Sequence, residues 1–167
     1  LETSMERLST GKRINSASDD AAGVAIASRL SSEIRGTNQS IRNALDARAL
    51  MDTAEGAHKE VENILQRMRE IAVQAANDTN NTQDRLNMQK EINAMVNEMD
   101  RIAEATTWAG TNLLIGDGTS NSEKAFSFQV GAATGTQNQL NVAVKSLTAS
   151  TLGLSALDLQ ATVLIND

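Results

Sequence analysis

Between Ala54 and Ile102 the apolar residues recur at the intervals of packed helices. Ala54, Ala57, Val61, Ile64, Met68, Ile71 and Ala75 fall three or four residues apart. After a polar interruption, Met88, Ile92, Met95, Met99 and Ile102 resume the same spacing. Alternating steps of three and four keep one apolar stripe on one side of a helix, the signature of a coiled-coil-like seam. The interruption, Asn77-Asp78-Thr79-Asn80-Asn81, consists of turn formers, and Thr82 and Asp84 open the next helix. Such a short turn lets the second helix fold back antiparallel onto the first.

Upstream, Ser16-Ala17-Ser18-Asp19-Asp20 signals a helix start. Either serine can accept from free N–H groups, and the aspartates suit the positive end of the helix dipole. From there to the turn no proline intervenes, and the whole chain has none. The pattern predicts one helix over residues 19–76, about 87 Å long at roughly 1.5 Å per residue. That far exceeds the usual ~11–12 residues and points to a rod, although a helical hairpin in a globular bundle would show the same seam. Gly23, Gly36 and Gly56 interrupt it, each costing about 1 kcal/mol relative to Ala and marking a close contact or a break.

The remaining third of the chain changes character. Residues 1–110 hold 13 of the 15 basic and 17 of the 21 acidic residues, whereas residues 111–167 are rich in Ser, Thr, Asn, Gln and Gly. There Phe126, Phe128 and Val130 alternate with polar residues, as do Leu140, Val142 and Val144. Two alternating runs joined through Gly131 and Asn138 predict a β-hairpin with one buried face. The tail, with Leu152, Leu154, Leu157, Leu159, Val163, Leu164 and Ile165, shows no clear period. The expected fold class is therefore mainly α: a long antiparallel helical rod, coiled-coil-like, with a small β-hairpin region. Its expected parts are an extended or turn-like linker at residues 1–18, the two helices at 19–110, and the hairpin-containing segment at 111–167.

Composition narrows the chemistry. The 167 residues carry a net charge of −6 and only three aromatic side chains, Trp108, Phe126 and Phe128. That argues against nucleic acid, which needs a basic patch and stacking rings, and against an aromatic-lined ligand pocket. No apolar run reaches the ~18–20 residues of a membrane span, so no membrane insertion is expected. Without cysteine, disulfides and thiolate metal sites are excluded. The lone His58 has no partner at zinc-ligand spacing. Asp117, Thr119, Asn121 and Glu123 resemble a calcium loop only until its twelfth position, which is Phe128 instead of the bidentate Glu. No catalytic motif and no cofactor is expected. What the chain offers in abundance is surface for packing against other helices.

One run is more specific. Leu8-Ser9-Thr10-Gly11-Lys12-Arg13-Ile14-Asn15-Ser16-Ala17-Ser18-Asp19-Asp20-Ala21-Ala22-Gly23 resembles the N-terminal signature of bacterial flagellin. The resemblance continues through Ile26-Ala27-Ser28-Arg29-Leu30, Gln66-Arg67-Met68-Arg69-Glu70-Ile71-Ala72-Val73-Gln74 and Trp108-Ala109-Gly110-Thr111-Asn112-Leu113-Leu114. It covers residues 1–115 closely and the hairpin loosely. It implies the self-assembling subunit of the extracellular flagellar filament, with other flagellin subunits and the flagellar export and capping proteins as partners. It further implies subunit contacts through Gly11, Lys12, Arg13, Ile14, Asn15, Asp19 and Asp20. The hook–filament junction protein is the close alternative, but its matching segment carries proline next to the Asp-Asp pair, which this sequence lacks. A coiled-coil adaptor unrelated to motility is the other alternative.

The resemblance also implies recognition by Toll-like receptor 5 through Gln66, Arg67, Glu70, Ile71, Gln74 and Glu91. On a helix, Arg67, Glu70 and Gln74 share a face away from Ile64, Met68 and Ala75, with Ile71 expected at the border. Ile71 stands where a Leu is expected, a near-volume-conserving difference. In the filament this face would serve subunit contacts, so the receptor is expected to meet released monomers. Flagellins also carry a further apolar-patterned segment at the start and a C-terminal helix. This chain shows neither, so it is expected not to polymerise alone.

Overall fold

The structure is a computed structural model that describes residues 2–16, 18–117 and 123–159. It is mainly helical, with two small antiparallel hairpins. Helix α1 spans Glu2–Thr10, α2 spans Ala21–Ala75 and α3 spans Thr82–Ala105. The strands are β1 (Thr107–Trp108), β2 (Thr111–Asn112), β3 (Glu123–Gln129) and β4 (Gln139–Lys145). They pair as β1–β2 and β3–β4. Two compact units emerge, one of Leu1–Leu45 with Phe128–Leu140, the other of Asp46–Ser127 with Asn141–Asp167.

In the first unit, residues 2–10 are helical where the sequence predicted an extended or turn-like linker over 1–18. Gly11, at φ +66°, ends α1 in the left-handed conformation that glycine adopts without a Cβ penalty, and its N–H bonds to Arg7 O at 2.9 Å. The turn is thus confined to the residues between α1 and α2. Asp20 opens α2, with Oδ1 accepting from Gly23 N at 2.8 Å. The capping oxygen is therefore an aspartate's and not a serine's. Further along α2 the hairpin loop approaches closely. Asn43 Nδ2 donates to Gln129 O at 2.8 Å, and a Cβ added to Gly36 would lie 2.9 Å from that of Ala132. Glycine here admits a neighbouring backbone.

In the second unit the seam behaves as the spacing predicts. Val61, Met68, Ile71 and Ala75 of α2 bury with Met88, Ile92 and Met99 of α3, joined by Ala149 and Leu159. Asn81 caps α3 through a full capping box: its side chain accepts from Asp84 N at 2.9 Å, and Asp84 Oδ2 accepts from Asn81 N at 3.1 Å. Beyond α3, Ala109 and Gly110 both take positive φ, 48° and 78°, in a two-residue turn between β1 and β2. That hairpin was not read from the sequence. It delivers Leu113 and Leu114 to fully buried positions. The predicted hairpin at 126–144 is β3–β4; Phe126, Phe128 and Val142 are half-buried and Val144 is buried, whereas Leu140 is exposed. Thr119, Asn121, Val163, Leu164 and Ile165, and Ala17 of the predicted helix start, lie outside the described residues.

Candidate functional site

The sequence names two groups of residues, one in each unit. In the second unit, α2 and α3 bring Arg67, Glu70 and Glu91 together. Arg67 Nη1 donates to Glu70 Oε2 at 3.0 Å and Nη2 to Glu91 Oε1 at 3.1 Å. The first pair is one helical turn apart. The second links the two helices across 24 residues of sequence. These bonds, to Glu70 first and Glu91 second, hold the guanidinium's pKa above its already high ordinary value. All three side chains stay in water, with Arg67 53% exposed. An exposed pair of this kind adds little stability, because water screens it and two long side chains must be held still. It does present a fixed cation flanked by two carboxylates.

Gln66 and Gln74 are exposed on the same stretch of α2. Gln66 Nε2 reaches Glu62 Oε1 at 3.4 Å, and Gln74 O accepts from Asn80 Nδ2 at 2.6 Å. Ile71 does not share their exposure. It is 1% exposed and belongs to the core with Met68 and Ile92, so the border position expected of it is corrected to an interior one. The reason is the seam itself: Ile71 lies three residues after Met68 and four before Ala75, inside the stripe that α3 covers. Sequence reasoning passed over Val73, which is 69% exposed one position from Gln74. Its place off the three-and-four spacing was the available signal.

The other group forms the turn between α1 and α2. Asp19 Oδ2 accepts from Asn15 N at 3.1 Å and Ser16 N at 3.0 Å. These main-chain bonds, Asn15 foremost, hold the Asp19 carboxyl below its ordinary range. Thr10 Oγ1 donates to Asn15 Oδ1 at 2.8 Å and ties the turn to α1. Gly11, Lys12 and Arg13 are exposed; Ile14, Asn15 and Asp20 are half-buried. The segment is thus shaped by its own hydrogen bonds and leaves two cations free to face outward.

Among the described residues no group of His, Cys, Asp or Glu is arranged to hold a metal ion, and no helix is long and apolar enough to cross a membrane. Helical seams, an interhelical ion pair and a self-bonded turn define a helical protein built on packed α2 and α3. Residues 1–119 match the family described as the bacterial flagellin N-terminal helical region. The chain is 48% identical to polar flagellin F of Vibrio parahaemolyticus over 145 residues, 85% of this chain and 36% of that protein. It is 43% identical over its full length to the flagellin of Salmonella rubislaw, covering 32% of it. A solved structure titled FliC from Burkholderia pseudomallei superposes with a TM-score of 0.52 at 31% identity, over 62% of this chain and 38% of that one. The chain belongs to the bacterial flagellin family, whose members are structural proteins and not enzymes. It spans about a third of the length of the curated relatives it matches.

Proposed function

We propose that this chain is the helical part of a structural subunit of the extracellular flagellar filament, and that its α2–α3 face is a docking site for Toll-like receptor 5. Self-assembly with other flagellin subunits would use the turn residues Gly11, Lys12, Arg13, Ile14, Asn15, Asp19 and Asp20 together with the exposed apolar residues of α2. The export and capping proteins of the flagellum are the further partners, and secretion to the cell exterior is the matching localisation. Family membership supports the structural role.

The observation that carries the receptor reading is the exposed Arg67 held between Glu70 and Glu91. Arginine is enriched at interface hot spots, and one whose geometry is already fixed loses less freedom on binding. Gln66 and Gln74 would border the contact. Ile71 would act from beneath, by setting the position of α2. Arg67→Ala is expected to weaken receptor activation by about tenfold or more, since a hot-spot truncation costs upward of a decade in affinity. A reporter-cell dose–response curve, run beside circular dichroism to show an intact fold, measures it. An unchanged curve would sink the receptor reading. The filament reading is tested by peptide mass spectrometry of filaments sheared from source cells: peptides from this chain should dominate the mass, and trace amounts would point to a minor junction or adaptor protein.

A further inference from the structure

Residues 146–159 run along α3 without forming a helix or a strand. Ala149 N donates to Asp100 Oδ1 at 2.8 Å. Near the other end, Leu159 N donates to Gln89 Oε1 at 2.8 Å and Gln89 Nε2 donates to Leu157 O at 2.8 Å. The segment therefore travels antiparallel to α3. Gln89 and Asp100 stand about three turns apart on nearly one face of the helix, given roughly 100° per residue. Both are half-buried. Ala149 and Leu159 enter the α2–α3 core, and Leu147 and Leu154 pack against it.

Two features separate this segment from the helices it covers. Its internal bonds are local, such as Leu154 N to Ala149 O at 2.8 Å and Leu152 N to Thr148 O at 3.1 Å, together with the linked hydroxyls of Ser146, Thr148 and Thr151. Besides the main-chain bond from Leu147 N to Leu114 O at 2.9 Å, its ties are side-chain groups of α3 grasping main chain, so they read no side chain of the segment. The helices, by contrast, have their own capping box at Asn81 and their own seam. A region with few long-range bonds lying over helices that have their own cap and seam is the physical setting for local opening.

We propose that residues 146–159 are a strap latched over the α2–α3 core at Gln89 and Asp100, and that it opens as one unit while the helices stay folded. Gln89 and Asp100 are positioning residues for the strap. Opening bares the apolar positions of the α2–α3 core that Ala149 and Leu159 otherwise cover.

Amide hydrogen exchange on the 167-residue chain, resolved to single residues by NMR, tests this. Gln89→Ala and Asp100→Ala are each expected to speed exchange at both Ala149 and Leu159 by about tenfold or more, since losing a latch hydrogen bond favours opening of the whole strap. A rise confined to the end that was mutated overturns the single-unit opening. The amides of Ile92 and Met99 should keep their rates. Asp100→Asn, which retains an acceptor oxygen, should restore protection at Ala149. Gln89→Glu should protect Leu159 in part, since it can still accept from that N–H but cannot donate to Leu157 O. Asn93→Ala removes only Gln89's contact within α3, 2.9 Å to Asn93 Oδ1, and should leave the strap closed. Unchanged exchange at Ala149 and Leu159 in both alanine variants overturns the proposal. So does a joint rise at the strap and at Ile92 and Met99, or global unfolding of Gln89→Ala, since either would make the strap an inseparable part of the core.

Discussion

Along α2 the same residue types meet two fates. In the stretch belonging to the first unit, Ile26, Leu30, Ile34, Ile41 and Leu45 are all exposed. In the stretch belonging to the second, Leu50, Val61, Met68 and Ile71 are buried. Both rows follow helical spacing, so local pattern does not separate them. The difference is what covers each: α3 and the 146–159 strap supply apolar groups to the second row, whereas the hairpin loop reaches the first unit's α2 through Asn43 and Gly36, beside the apolar row and not over it. Scattered exposed leucines are ordinary, but a continuous row on one helix face gives subunit packing an apolar surface to use.

The comparison breaks most readily with a matched pair of truncations. Ile92, fully buried, should lose about 2–5 kcal/mol on replacement by Ala, since the transfer energy and the cavity both count. Ile34, 61% exposed, should change stability by about 0.5 kcal/mol or less in the same substitution. Urea midpoints at constant slope report both. If Ile34→Ala were as costly as Ile92→Ala, the first row would already have a partner and the contrast would fail.

How far the sequence announced this architecture depends on where each signal resides. Helix α2 was expected over 19–76 and spans Ala21–Ala75, because capping residues, the absence of proline and the turn at 77–81 are all local signals. The β1–β2 hairpin escaped because its turn is Ala109-Gly110: Ala at positive φ lacks the Asn-Gly or Asp-Gly mark of such turns. Helix α1 escaped because Glu2–Thr10 has only Met5 and Leu8 as large apolar residues, both exposed, and so shows no seam. The strap was illegible for another reason. Gln89 and Asp100 bond main chain 70 and 49 residues away, and a side chain that reads backbone leaves no pattern in the residues it holds. Of the residues that the resemblance assigned to receptor recognition, the polar ones lie, as expected, on the exposed side of α2 and α3. Ile71 was misplaced because helix angle alone cannot say how widely a neighbouring helix covers.

Two glycines in α2 sharpen the contrast on a smaller scale. A Cβ at Gly56 would meet nothing within 4 Å, so Gly56→Ala should stabilise by up to about 1 kcal/mol through helix propensity. At Gly36 the added Cβ would stand 2.9 Å from that of Ala132, so the same propensity gain is opposed by displacement of the hairpin loop. Gly36→Ala should therefore fall below Gly56→Ala in thermal midpoint and loosen the Asn43–Gln129 bond. Equal stabilisation of both would show that the loop can retreat from α2 at no cost.

The smallest effect concerns how charge is held in the two regions. Asp19 has its carboxyl pKa lowered from an ordinary 3.8, chiefly by the Asn15 and Ser16 N–H groups. Glu98, on α3, has its own lowered from 4.5, chiefly by Arg101. In both, the folded pKa lies below the unfolded one, so each contribution is complete above the unfolded value and is lost as pH falls through the folded value. The physical sources respond differently to salt. A guanidinium–carboxylate pair in water is screened, whereas adjacent main-chain dipoles act within contact distance. Side-chain carboxyl shifts followed by NMR should therefore titrate below 3.8 for Asp19 at low and high salt alike. The Glu98 midpoint should move back toward 4.5 as salt rises. Asp19→Asn, which keeps an acceptor but cannot ionise, should remove the acid-induced movement of the Asn15 and Ser16 amides. A salt-dependent Asp19 midpoint would mean that Arg7 or other nearby cations, and not the turn's own backbone, set the charge state that shapes this segment.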